Sequence, residues 1–136
     1  KSTSAWARRE AEHPGDPLGQ VRAWLQETAA RVTKGDERGC ALANAAVELP
    51  EKDHPARRVI ETFKAGQRAR LIQLCAAAGL EEPELLAEEL FLLLEGARVT
   101  AQSMGPRGLD ERLLRMGERM IRAHTRCDAA AGPVQQ

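Results

Sequence analysis

The stretch PELLAEELFLLLEGARVTAQSM, Pro83 to Met104, sets the terms for the whole chain. At about 100° per residue, Leu85, Leu86, Leu90, Leu93, Leu94, Ala97 and Ala101 cover most of a helix's circumference. A helix with so little polar surface has to be enclosed by other elements. Its remaining face reads Glu84, Glu88, Phe91, Glu95, Arg98 and Gln102, with an aromatic ring in the middle of a charged stripe. The longest uninterrupted apolar run, Leu90 to Leu94, is far too short to cross a bilayer. No charged-then-apolar signal segment opens the chain. Protein, not lipid, is therefore expected to do the enclosing, and no membrane partner is expected.

The rest of the chain offers helices for that purpose. β-Branched and aromatic residues are sparse, alanine, leucine, glutamate and arginine are abundant, and no alternating run is present. An all-α fold of about five to six helices follows. HPGDPL ends a short opening helix and starts the next, with Asp16 as N-cap and Pro17 at the first helical position. KGDERG separates that helix from RGCALANAAVEL, and LPEKDHPA leads into a long helix ending at Gly79. GLEEPE starts the Pro83–Met104 helix, which stops near MGPRG. Asp110 is expected to cap the last helix, with Leu109 and Leu114 as a hydrophobic staple. The domain is expected over 14–126, with 1–13 as a linking helix and 127–136 as a frayed tail.

Helical phasing picks out the faces. From Leu18 to Thr33 the apolar arc holds Leu18, Val21, Trp24, Leu25, Ala29 and Val32, with Thr28 inside it. From Pro55 to Ala78 the arc holds Ala56, Val59, Ile60, Phe63, Leu71 and Leu74, with Gln67 in its middle. RGCALANAAVEL shows almost no charged face, and its Cys40 and Asn44 lie about 40° apart on one wall. The last helix sets Leu109, Leu113, Leu114, Met116, Met120 and Ile121 against Arg112, Arg115, Arg119, Arg122 and Arg126. Two final helices with apolar arcs this wide point to a symmetric homodimer, both packing on their copies as a four-helix bundle. Central burial in a monomer is the alternative. The expected contacts are Leu86, Leu90, Phe91, Leu93, Ala97, Leu113, Met116, Met120 and Ile121.

No chemistry-bearing constellation stands out. Histidines occur singly at His13, His54 and His124, and no HExxH, nucleophile elbow or Gly-rich phosphate loop is present. The chain therefore does not read as an enzyme, and no metal or cofactor is implied. Twenty basic side chains balance twenty acidic ones, so no global field steers it to nucleic acid. The arginine face of the last helix lacks interleaved aromatics. Pairing with the acidic surface Glu81–Glu95, or plain solvation, is the better account of it. Cys40, Cys75 and Cys127 form no CxxC pair, which fits a reducing cytoplasm. Cys40 beside Arg38 at a helix start reads either as an activated thiol or as a small buried hydrophobe.

The internal polar residues say more. Thr28, Asn44 and Gln67 come from three helices, each within or beside an apolar arc. A buried amide without a hydrogen bond costs about 1–3 kcal/mol, so each must find a partner. They either bond one another and nearby backbone, or converge on an apolar cavity and orient a small ligand. Trp24 and Phe63 on the same arcs favour the cavity.

RGCALANAAVELPEKDHPAR, followed by a long helix and CAAAGLEEPELLAEELFLLLEGARVTAQ, resembles the C-terminal regulatory domain of TetR-family transcriptional regulators. The resemblance runs from about Asp16 to His124. Arg38-Gly39-Cys40 with Asn44, His54-Pro55-Ala56 and Leu94-Glu95-Gly96-Ala97 carry it best. It implies an all-helical, homodimeric domain that binds a small, often hydrophobic effector, with the last two long helices as the dimer interface. On that basis the pocket is expected to involve Trp24, Thr28, Cys40, Asn44, Phe63, Gln67, Leu71, Leu94 and Arg98, and the full-length protein is expected to be a repressor. Operator DNA would be read by an N-terminal helix-turn-helix that this chain does not contain. The opening KSTSAWARRE, without methionine and in mid-helix, fits a fragment; STSAWARREAEH would then be the remnant of the linking helix, with Trp6 toward the cavity. A helical dimerisation or scaffolding module without a ligand is the rival reading.

Overall fold

The computed structural model describes residues 2–34 and 55–126, and over these the fold is all-helical. Five helices follow in order: α1 Ser2–Glu12, α2 Pro17–Lys34, α3 Pro55–Ala77, α4 Pro83–Met104 and α5 Leu109–Ala123. Cys40, Asn44, His54 and Cys127 lie outside the described residues.

The helix boundaries have local causes. The Asp16 carboxylate accepts a hydrogen bond from the Gly19 amide at 3.0 Å, and Pro17 begins α2, as its sequence predicts. A side chain at Gly19 would require that carboxylate to shift from its present position. At the end of α3 the chain turns at Gly79, with φ of 76°. The last helix departs from expectation. Gly108, at φ 69°, is its N-cap, so Leu109 is already helical and buried. Asp110 lies in the first turn and accepts only from the Glu111 amide. The left-handed glycine, two residues before the aspartate, turns the chain first.

Charged pairs report how the helices run. Lys64 Nζ meets Glu95 at 2.6 Å, and Arg68 reaches both Glu84 and Glu88, so α3 and α4 are antiparallel. The Glu81 amide donates to the His124 carbonyl at 2.7 Å, which brings the end of α5 back to the start of α4. Arg22 pairs with Glu118 at 2.6 Å, while Leu25, further along α2, packs on Gly117, earlier in α5. Thus α2 opposes α5 and runs parallel to α4. Helix α1 folds back on α2, its Arg8 and Arg9 meeting Glu27.

Helices α3, α5 and α2 together enclose Pro83–Met104. Val21, Trp24, Leu25, Ala29 and Val32 enter one cluster with Leu71, Leu74 and Cys75 of α3, Leu86, Leu90, Leu94 and Ala97 of α4, and Leu113 and Ile121 of α5. The wide arcs of the last two helices are thus largely filled within one chain. Of the side chains expected at a dimer interface, Leu86, Leu90, Ala97, Leu113 and Ile121 are buried in this core. Leu93 and Met120 are half-buried against it, and Phe91 packs on Trp24. Met116 alone of that set is exposed. The width of these arcs matches the cover that helices of the same chain provide.

The acidic surface of α4 also finds different partners from those expected. Glu84, Glu88 and Glu95 pair with Arg68 and Lys64 of α3, and Glu95 also with Arg98. From the end of α5, only Arg126 and His124 approach it among the described residues, at Glu81 and Glu89.

The Arg22–Glu118 contact makes a pH prediction. Its hydrogen bond from Arg22 holds the Glu118 carboxyl below its ordinary value of 4.5. A depressed carboxyl stabilises the fold fully above that ordinary value and loses its contribution as pH falls through the lower, folded one. The pair is partly exposed, so the effect is modest. Urea midpoints at pH 7 and pH 3 are expected to differ less in Glu118→Gln than in the parent. An equal difference in both proteins would exclude this contribution.

Candidate ligand site between α2, α3 and α4

Trp24 stands at the meeting of three helices. Its ring stacks on Phe91 of α4, with centroids 5.7 Å apart and planes 18° from parallel. This explains the aromatic in the charged stripe. One edge of that stripe faces α2, and a large flat ring is what fills the space against an indole. Leu71 of α3 and Leu94 of α4 belong to the same buried cluster.

One turn beyond Trp24, Thr28 is buried, and its hydroxyl accepts a long hydrogen bond of 3.4 Å from Arg31. Gln67 of α3 is half-buried. Phe63, one turn earlier on α3, is 44% exposed, and Val59 beyond it 65% exposed. The expected apolar arc of α3 therefore splits. Ile60, Leu71 and Leu74 face inward, while Ala56, Val59 and Phe63 are uncovered by the described residues.

On α4, Arg98 keeps only 17% of its side chain exposed. Its guanidinium donates to one oxygen of Glu95 at 3.2 Å, while Lys64 takes the other oxygen. The Nε of Arg98 is buried and donates to no acceptor among the described residues. Of the nine pocket residues expected, Trp24, Thr28, Leu71 and Leu94 are thus buried among α2, α3 and α4. Gln67 and Arg98 are half-buried on those helices, Phe63 is outward, and Cys40 and Asn44 fall outside the described residues.

A second polar cluster escapes phasing altogether. Trp6 of α1 is buried with the Arg9 guanidinium carbon 4.4 Å from its ring centre and that of Arg70 5.8 Å away. Arg9 is itself buried and grips Glu27 through Nε and Nη2, at 3.0 and 2.8 Å. Trp6 thus belongs to an arginine-flanked joint between α1, α2 and α3. The signal available beforehand was the tryptophan three residues from an arginine, a helical neighbour pair suited to cation–π contact.

No reactive group emerges at either place. Cys75 is buried among apolar side chains, which pushes its thiol up to about 11 and leaves it protonated at neutral pH. Among the described residues no group of three or more His, Cys, Asp or Glu side chains could hold a metal ion. No described helix is long and apolar enough to cross a membrane. No protein-family model, curated protein or solved structure matches this chain.

Proposed function

We propose that this chain is the ligand-sensing and dimerisation domain of a TetR-type transcriptional regulator. The reading is carried by the gathering of Trp24, Thr28, Leu71 and Leu94 from three helices, with Gln67 and Arg98 half-buried on those helices. An apolar wall with a few polar groups is the composition of a small-molecule site. The effector shifts the dimer between helix spacings by no more than its difference in affinity for the two. DNA recognition belongs, on this proposal, to an N-terminal domain outside this chain, and effector binding releases the operator.

The partner surface is redrawn from the expected one. Leu85, Leu92, Gly96, Val99 and Ser103 fall within about 60° of arc on α4, all outward. Leu92 and Val99 are 74% and 63% exposed, and a Cβ at Gly96 would meet nothing. The seven-residue spacing of Leu85, Leu92 and Val99 suits a helix–helix seam, and Gly96 allows close approach. Met116 adds exposed apolar surface on α5. A second copy of this chain is the proposed cover.

Sedimentation equilibrium tests this directly. The parent is expected to be a dimer at micromolar concentration, and Leu92→Glu with Val99→Glu a monomer of unchanged helical content. A monomeric parent would contradict the dimer. The rival, a helical scaffold without a ligand, draws on the complete burial of Leu71 and Leu86 in a filled core. It shares the dimer and lacks the ligand.

A further inference from the structure

Trp24 and Phe91 are stacked on parallel helices, which makes positions beyond them comparable. Seven residues is close to two full turns, so a residue seven further on returns to nearly the same face, about 10 Å along. Seven beyond Trp24 is Arg31, and seven beyond Phe91 is Arg98. The stacked pair is thus followed, on both helices, by an arginine.

Among the described residues these arginines have little counter-charge. Arg31 donates only to the Thr28 hydroxyl and meets no carboxylate among the described residues. Arg98 shares Glu95 with Lys64, and its buried Nε donates to nothing described. Arg98 and Lys64 thus share one carboxylate, and Arg31 meets none among the described residues. A buried guanidinium edge left without an acceptor is costly, and the group that suits its planar fork is a carboxylate.

Resting on the ligand-site reading above, we infer that the effector is an apolar molecule ending in a carboxylate, whose acid group Arg98 and Arg31 hold. The apolar part lies along Leu94, back toward the stacked Trp24 and Phe91. Glu95 stays paired with Lys64 when Arg98 turns to the ligand, so no new buried charge is created.

Calorimetric titration with dodecanoate and dodecan-1-ol, both as monomers in solution, separates the two layers of this account. The parent is expected to bind dodecanoate at least about tenfold more tightly than the alcohol, as a charge-assisted contact requires. Arg98→Gln and Arg31→Gln are each expected to lose about tenfold for dodecanoate and to leave the alcohol unchanged. Arg98→Lys, which keeps the charge but loses the fork, is expected to fall between. Equal affinity for acid and alcohol in the parent would overturn the carboxylate assignment while leaving an apolar site. Equal weakening of both ligands in the variants would do the same. Binding of neither would remove the site itself and this inference with it. Far-UV circular dichroism checks each variant's fold, and Arg31→Gln carries the test if Arg98→Gln does not fold.

Discussion

Glu27→Gln is expected to destabilise the protein by about 2–3 kcal/mol, and Arg9→Met by about 1 kcal/mol or less, although the two residues form one ion pair. The asymmetry follows from burial. Arg9 is 3% exposed, its Nε and Nη2 are held by Glu27, and its Nη1 is buried with no acceptor. Replacing the carboxylate by an amide leaves the guanidinium inside the protein with a neutral acceptor and the Trp6 face but no counter-charge. Removing the arginine instead leaves Glu27, 29% exposed, free to turn to water or to Arg8. Methionine fills the vacated space without charge, although it loses the cation–π contact. Glu27 keeps some solvent, so its loss falls at or below the range for breaking a fully buried pair. Urea unfolding of both variants checks the order. An Arg9→Met loss equal to or above that of Glu27→Gln would contradict it.

Leu90→Ala is expected to cost about 2–5 kcal/mol and Leu92→Ala less than about 0.5 kcal/mol in the monomer. These leucines stand two apart in LFLLL, and hydropathy does not distinguish them. Leu90 is wholly buried in the cluster that also contains Leu86, Leu113 and Ile121, so truncation removes apolar contact and leaves a cavity. Leu92 points outward on the proposed seam at 74% exposure. Thermal or urea unfolding of the Leu92→Glu, Val99→Glu background, with each leucine truncated in turn, keeps association out of the comparison. Similar losses at both positions would mean that the orientation of α4 is other than described.

Helix identity was legible because local signals agreed. Asp16-Pro17, Gly79 and Pro83 each mark a boundary through geometry that one residue imposes, and the core face of α2 followed from its period alone. Asp110 was misjudged because a glycine two residues earlier, Gly108, offered the turn first. Burial of most of the expected dimer contacts within one chain has a different cause. Phasing gives the width of an apolar arc but not who covers it, and α2 and α3 of the same chain, with α4 and α5 on each other, provide that cover. Phe91 showed the same limit, since a stripe of charges concealed an edge that faces Trp24. The Arg9–Glu27 joint was hidden because a buried arginine has no periodic signature. Of the candidate site, the apolar wall was readable from phase. The orphaned Nε of Arg98 was not, since it depends on where Glu95 and Lys64 send their charges.

A small apolar molecule is expected to bind beside Trp24. The chain has two tryptophans, so Trp6→Phe leaves Trp24 as the sole reporter. Titration of that variant with 11-bromoundecan-1-ol, a neutral quencher, measures contact at Trp24 without involving the charged groups. Saturable quenching with one probe per chain is the predicted result, while quenching that rises linearly and never saturates would contradict a ligand site at Trp24.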